Sequence, residues 1–513
     1  MNLAMLLAIP AMIDPDRSGL ITADGAGRDY ATLRSAAARV TGLLEGLGVR
    51  PGDRVAIFAT NSIESVEVLY GVAAAGAVAV PVNYRAKSAE TAHLLRDCGA
   101  RVVFTEQRYR DLVESARPES VSSVIVLDED YQRRRDESPA RDEIADVGEG
   151  DLAVIIYTSG TTSAPKGVML THGALTGYVL GTTEAADGTD HGRTILATPM
   201  YHIAGLASLL NSTYAGRSII LLSQFDASAW LTAVERFGAT TAFLVPTMLA
   251  RLLDDPAFSP DAMSSLELIT YGAAPMPPAV IRRAIEMFPP SVSFSGSYGQ
   301  TETTSTVTVL GPEDHRLTGE PAEVEDRRRR LRSVGRPVSD VELQVVDENG
   351  RPVPPEVAGE VWLRTSRTMA GYWKSGGDPL AQALGQDGWV RTGDVGYLDD
   401  QGYLFLEGRA GDLIIRGGEN ISPEEIEAAL HEHPDVLDAG VAGVPDNLWG
   451  ERVMAAVVVR HGSSTGEEAL LAFCGERLAS FKRPNRILVM AALPRTSTGK
   501  LLRRELIPIL SKA

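Results

Sequence analysis

The chain is 513 residues long, 44% hydrophobic and 23% charged, with a formal net charge of −18. That length exceeds one ordinary core, so two or more domains are expected, and the composition is that of a globular protein. The negative field disfavours nucleic acid as a partner and leaves any anionic substrate dependent on local cations and backbone donors. Cys98 and Cys474 form no disulfide framework and no zinc spacing, which suits a reducing cytoplasm. The apolar start MNLAMLLAIPAMIDPD has neither the basic flank nor the cleavage site of a secretory signal, so none is expected. No apolar run is long enough to span a membrane.

In chain order, helical and extended patterns alternate. Helices are expected over Tyr30–Leu47, Ser62–Gly76 and Ser88–Cys98, and strands over Asp53–Phe58, Ala77–Val82 and Arg101–Thr105. That alternation predicts parallel strands joined by covering helices. Residues 106–150 carry charged runs and read as irregular surface. The apolar run Leu152–Ile156 reads as a buried strand. After it, Thr171 caps a helix running to about Gly181. Strands follow at Thr194–Thr198, Ser218–Leu222, Thr240–Leu244, Leu266–Tyr271 and Val292–Ser297, with helices at Ile203–Ala215, Ala227–Phe237 and Pro277–Met287. The run Arg327–Arg330 lies beside Glu323, Glu325 and Asp326 and reads as a solvated helix or loop rather than a phosphate site. From Ser333 the texture is that of a small β unit, with turns at Asn349-Gly350 and around Asp399–Gly402. Beyond Gly408-Arg409-Ala410-Gly411-Asp412 a final unit alternates strand and helix and is long enough to be a domain. The expected architecture is α/β and α+β multidomain. Residues 1–409 make a large domain of stacked α/β subdomains plus a small β-barrel unit, and residues 410–513 make a small α+β domain.

The chemistry concentrates around Tyr157–His172, YTSGTTSAPKGVMLTH. A loop dense in Thr, Ser and Gly presents hydroxyls and unhindered N–H groups to an anion, and Lys166 adds a positive point charge. It is not the P-loop of nucleoside triphosphatases, because no glycine precedes Lys166. Two later strands end in Gly272-Ala273-Ala274-Pro275 and Tyr298-Gly299-Gln300-Thr301-Glu302. In open α/β sheets, ligands bind at the carboxyl ends of strands.

Together these motifs resemble the adenylate-forming superfamily of acyl-CoA synthetases, peptide-synthetase adenylation domains and beetle luciferases. The resemblance runs from about residue 15 to 508, and Ser163 stands where the family usually has Gly. It implies that Thr158, Ser159, Gly160, Thr161, Thr162 and Lys166 bind ATP phosphates, and that Gly272, Ala273 and Ala274 lie against adenine. Tyr298 would stack on the purine, with Gly299 and Gln300 in the same motif. Thr301 would donate to the α-phosphate and Glu302 would ligate Mg2+, for which a carboxylate is a suitable hard ligand. Asp394 would accept both ribose hydroxyls, since a carboxylate has two oxygens to offer a vicinal diol. Arg409 would contact ribose or phosphate. Lys500, in PRTSTGK, would bridge carboxylate and α-phosphate as charge redistributes during adenylation. His202 would gate the substrate carboxylate; a packed core histidine is the alternative.

For the second half-reaction the resemblance implies Gly417 and Gly418 at the site. Trp449, Phe481 and Arg483 resemble the CoA contacts of the 4-chlorobenzoate CoA ligase-like branch, where stacking and a guanidinium suit a nucleotide phosphate. The small domain would rotate about a hinge at Gly411, where the family usually has Asp or Lys; glycine permits the φ/ψ change but lacks side-chain contacts to hold either pose. An acyl pocket is expected from Tyr178, His202, Ile203, Leu244, Ala273, Ser295, Thr303 and Val307. These are mostly apolar, with no arginine placed for a second carboxylate, so a medium or long monocarboxylic or aromatic acid is expected and malonate is not. The implied activity is an ATP-dependent acyl-CoA synthetase using ATP, Mg2+ and CoA, cytoplasmic, with a homodimer as a family-level expectation. Its rivals are an enzyme loading a carrier-protein phosphopantetheine, a luciferase-like oxygenase and a silent acyl-nucleotide binder. A silent scaffold has no chemical need of Lys500, Glu302 and Asp394.

Overall fold

A computed structural model describes residues 1–158, 165–373, 388–416, 419–446, 449–496 and 499–512, apart from the Asn420 side chain. Ser159, Gly160, Thr161, Thr162, Gly417 and Gly418 therefore lie outside the described residues. Among the described residues the chain forms four sheets. In one, the strands Ser123–Val126, Val102–Thr105, Arg54–Phe58, Val78–Pro81 and Leu152–Thr158 are parallel neighbours, closed by antiparallel Lys166–Thr171. In the second, Ser18–Thr22, Ser218–Leu221, Arg193–Leu196, Thr241–Leu244, Leu268–Gly272 and Ser293–Gln300 run parallel, with antiparallel strands at both edges.

Helices packed between these sheets supply one continuous core. Val55 and Ile57 of the first sheet share it with Leu196, Ile219 and Leu221 of the second. The apolar N-terminal patch belongs there too: it folds as the helix Met5–Ile13, with Leu3 and Leu6 fully buried. Asn61 ties the two sheets at their carboxyl ends. Its amide donates to Thr198 O at 3.1 Å and Leu222 O at 3.3 Å, and its carbonyl accepts from Met200 N. No helix among the described residues is long and apolar enough to cross a membrane.

The third sheet is antiparallel, in the order Glu342–Val346, Gly359–Arg364, Val390–Leu398, Leu404–Arg409. The last sheet joins the long hairpin Val436–Asp446 and Gly450–Val459 to short strands and to parallel Arg486–Val489, covered by Pro423–His431, Glu467–Arg477 and Arg503–Leu510. One face of it has its own core around Ile426, Val441, Ala455 and Cys474, separate from the cores of the larger sheets.

Several expectations are corrected. Residues 106–150 are not irregular: they hold the helices Arg110–Ala116 and Glu129–Glu137 and the strand Ser123–Val126. Pro246–Asp254, on which no expectation rests, is a helix begun by a proline, whose φ already suits a first helical turn. Lys166–Thr171 is a strand rather than loop, because Val168 and Leu170 turn inward while the backbone pairs with Leu152–Thr158. The run Arg327–Arg330 does lie on a solvated helix, Pro321–Arg330, and it is also ion-paired: Arg329 reaches Asp399 at 2.9 Å and Arg330 reaches Asp314 at 3.2 Å.

Candidate active site

Two parallel strands of the second sheet end at Gly272 and Gln300. Both turns depend on close backbone approach. A Cβ on Gly272 would stand 2.4 Å from Ser297 O, and one on Gly299 would stand 1.8 Å from Ser305 O. Ala273, Thr304 and Ser305 have positive φ (66°, 50° and 78°), a conformation costly for residues with a Cβ and typical of functional turns. Thr301–Thr303 forms one 3-10 turn with Thr301 buried.

Asp394 is the hub. Its Oδ2 accepts from Tyr298 Oη at 2.5 Å and Gln300 Nε2 at 2.7 Å, and its Oδ1 pairs with Arg409 Nε at 2.8 Å. The sheet register sets Asp394 opposite Arg409, and Thr392 Oγ1 accepts the Asp394 amide at 3.0 Å. Burial, then Asp394, pushes the Tyr298 pKa far up, so the phenol stays a donor. Burial alone would depress the Arg409 pKa, but Asp394 and Tyr298 more than offset it and it is raised.

A second group gathers around Glu302. Its Oε1 accepts from Tyr372 Oη at 3.0 Å, and Lys166 Nζ stands 5.2 Å above the Tyr372 ring. Tyr372 arrives because residues 369–373 lie along the Lys166–Thr171 edge: Ala370 N donates to Met169 O, Trp373 N to Gly167 O and Met369 N to Glu302 O. Nothing in the local sequence around Tyr372 announces this; it follows from an edge pairing distant in sequence. Among the described residues no cluster of three His, Cys, Asp or Glu could hold a metal alone. One carboxylate, Glu302, fits Mg2+ that arrives on phosphates, since that ion keeps its waters and takes few protein ligands.

Lys500 sits on a tight turn in which Thr496 N donates to Lys500 O and Gly499 N to Thr496 O. That turn rests on the Pro246–Asp254 helix, where a Cβ on Gly499 would lie 2.4 Å from Thr247 Oγ1. Lys500 keeps solvent exposure, but the protein around it partly desolvates it and Arg409 repels it, so its pKa is lowered. Lys500 is thus brought into the field of Asp394 and Arg409. His202 precedes the helix Ile203–Tyr214 and packs on Tyr201 at 4.3 Å. Burial, then Arg85, lowers its pKa to about 4, so it is a neutral imidazole at neutral pH.

Beside the site lies a cavity of about 190 Å³ between the helix Ile203–Tyr214 and the second sheet. Tyr178, Ile203 and Ala273 line it as expected. Leu244, Ser295, Thr303 and Val307 do not, nor does His202. Side chains alternate along a strand, so Phe243 and Thr306 face the cavity while Leu244 and Val307 enter cores behind it. Ser295 donates to Leu310 O at 3.2 Å, and the Thr303 hydroxyl is engaged by the Gln300 backbone at 3.2 Å. No arginine placed for a second carboxylate was expected among the pocket residues; Arg217 lines this cavity.

On the last sheet, Trp449 and Phe481 are 50% and 38% exposed. Arg416, which motif reading missed, joins them: its guanidinium stands 5.8 Å over the Trp449 ring and donates to Phe481 O at 2.8 Å. Arg483 is exposed, with Nε on Leu478 O. Gly411 has no atom within 4 Å of where a Cβ would stand.

The AMP-binding enzyme family model matches residues 10–373, and the model of the AMP-binding enzyme C-terminal domain matches residues 425–500. The chain is 36% identical over 485 residues to a feruloyl-CoA synthase of an Amycolatopsis species, covering 94% of each. It is 34% identical over 493 residues to the fatty acid–[acyl-carrier-protein] ligase ScoC of Streptomyces coeruleorubidus, covering 95% of this chain and 92% of the relative. Among solved structures, ATP-bound MatB from Rhodopseudomonas palustris superposes with a TM-score of 0.89 at 30% identity, over 100% of this chain and 99% of that one.

Proposed function

Because this chain belongs to the AMP-binding enzyme family, we propose that it is an ATP-dependent acyl-CoA synthetase. The observation that carries this reading is Lys500, presented from the last unit of the chain into the field of Asp394 and Arg409. The acid's carboxylate attacks the α-phosphate of ATP in line; a P–O bond forms, pyrophosphate leaves, and an acyl-AMP anhydride results. Lys500 and Lys166 offset negative charge as it redistributes. Asp394 holds the ribose hydroxyls, Tyr298 and residues 272–274 face the base, and Thr301 donates to the α-phosphate. Mg2+ held by Glu302 supplies charge neutralisation at the phosphates when bound. The protein's contribution is positioning and electrostatics.

In the second step the CoA sulfur attacks the acyl carbonyl, the anhydride C–O bond breaks, and AMP leaves. Residues 410–513 form the moving domain in this reading, with residues 1–409 fixed and Gly411 as the hinge. Rotation withdraws Lys500 and brings Gly417, Gly418 and the Trp449–Arg416–Phe481 patch to the acyl-AMP. That patch supports CoA as acceptor, since aromatic faces and guanidinium groups suit a nucleotide with phosphates. A carrier-protein phosphopantetheine, the acceptor class named for the ScoC relative, is the second reading. Cytoplasmic residence is supported by two buried free thiols, Cys98 and Cys474. Homodimerisation is the remaining part of the reading and is checked by sedimentation.

The test is pyrophosphate release with a panel of carboxylic acids, with and without CoA, followed by mass spectrometry. Acyl-CoA with AMP is the expected product. Acyl-AMP accumulating despite CoA would transfer the reading to a carrier-protein acceptor.

A further inference from the structure

The acyl cavity is built differently at its two ends. It starts at Ala273, Ser297 and Gly299, beside the nucleotide site, and ends at Leu268 and Arg217. Leu268 and Ala273 bracket the strand Leu268–Gly272, so at about 3.3 Å per residue the cavity follows the sheet for roughly 16 Å. On its other side Ile203, Ala204, Ala207, Ser208, Asn211 and Ser212 occupy one face of a helix, and their span is roughly 13 Å at about 1.5 Å per residue. Alanine and serine on that face leave the room. Both measures place Arg217 well over 10 Å from the activated carboxyl, on the order of ten bonds away.

A cavity for a plain alkyl tail should end in apolar side chains. This one does not. Some of its polar groups satisfy each other: Ser212 Oγ donates to Thr194 Oγ1 at 3.1 Å, and Thr194 and Thr241 hydroxyls lie 2.8 Å apart. One cation is left over. Arg217 donates through Nε to His191 O at 3.1 Å, and among the described residues no carboxylate lies within ion-pair range of it. Burial lowers its pKa, with Glu267 offsetting only part of the effect. A desolvated cation without a paired counter-ion is costly, and here it faces a binding cavity in a chain of net charge −18. Arg367 offers no alternative, since it is fully buried against Asp340.

Resting on the acyl-CoA synthetase reading, we infer that the preferred acid carries a second carboxylate at its far end, held by the Arg217 guanidinium. Malonate stays excluded, because a three-carbon diacid is too short to span from the nucleotide site to Arg217. A diacid chain of about eight to twelve carbons spans it.

The experiment compares α,ω-dicarboxylic acids of eight to twelve carbons with monocarboxylic acids of equal length, in the wild type, Arg217→Gln and Arg217→Lys. Turnover is read as kcat/KM by pyrophosphate release. Binding is read in parallel by calorimetry with acyl-sulfamoyl-adenosine analogues ending in carboxylate or methyl, which needs no turnover. Melting temperature checks that each variant is folded. The wild type should favour the diacid by about ten-fold or more, Arg217→Gln should abolish that ratio, and Arg217→Lys should restore part of it. A wild type that favours the monoacid in both readouts, or a diacid preference that survives in Arg217→Gln, overturns the inference. No turnover of any acid, with the analogue preference present and lost in Arg217→Gln, would sink the synthetase reading and leave the distal carboxylate site standing.

Discussion

Asp394 and Arg409 face each other across the last antiparallel strand pair of the third sheet, with Oδ1 and Nε 2.8 Å apart. The pair joins the proposed ribose carboxylate to the residue two positions before Gly411. Asp394→Asn keeps the shape, removes the charge and weakens the bond to Arg409. Hydrogen bonds to charged groups contribute about 1.5–3 kcal/mol, so KM for ATP should rise about ten- to hundred-fold. Steady-state kinetics at saturating acid checks this; an unchanged KM would remove Asp394 from the nucleotide site.

Lys500→Ala should slow acyl-AMP formation by about 10²-fold or more, the scale of losing one charge-stabilising donor. Thioester formation from supplied acyl-AMP should change by less than about three-fold, because the proposed rotation takes Lys500 out of the site in that step. The lowered Lys500 pKa also has a sign. The ammonium is the working form, so adenylation should decline on the alkaline side at a lower pH than free lysine would impose. Single-turnover rates for each half-reaction across pH measure both.

The turn at Gly411 has space for a side chain, with nothing within 4 Å of a Cβ. Gly411→Lys should therefore fold normally, with a melting temperature within a few degrees of wild type. It should change the ratio of the two half-reaction rates, because a side chain at a hinge makes contacts that favour one pose. Equal effects on both rates, or none, would argue that rotation occurs elsewhere.

Arg416→Ala removes the cation between Trp449 and Phe481. KM for CoA should rise about ten-fold, while pyrophosphate release without CoA stays close to wild type. Dephospho-CoA supplies the control: if Arg416 holds a CoA phosphate, the variant should discriminate less between the two thiols.

Histidine burial predicts acid sensitivity. His172 and His315 are buried, and burial lowers the pKa of each from 6.5 to about 4. Leu3 N donates to His172 Nδ1 at 3.0 Å, and His315 Nε2 lies 2.8 Å from Tyr271 Oη, so protonating either acceptor nitrogen breaks a bond. The unfolded chain binds protons below 6.5 while the native state resists until about 4. Stability should therefore fall as pH drops through that window. Urea denaturation at stepwise pH tests it: His315→Gln should flatten the slope, and a flat wild-type profile would contradict the burial argument.

Much of this protein was legible from its residues. Ser88–Cys98 and Ala227–Phe237 are helices at the expected bounds, and Thr171 caps the next helix as its hydroxyl predicted. The family motifs come from short stretches whose chemistry is local: a Ser/Thr/Gly loop, Tyr298 to Glu302, and the lysine turn at 500. One miss has another cause. The strand Lys166–Thr171 exists because a partner strand lies beside it, and pairing energy is not written in the strand's own residues.

By itself, then, the sequence determined the alternation of elements and the family. Only tertiary structure decided what stands in the acyl cavity. Arg217 lies outside the helix face it joins, and Tyr372 and Arg416 lie in no shared motif with Glu302 or with Trp449 and Phe481. The physical reason is that backbone register and side-chain alternation choose which neighbour faces inward. A one-residue change of register exchanges Phe243 for Leu244 or Thr306 for Val307, and nothing in the composition of those strands marks which face will meet the substrate.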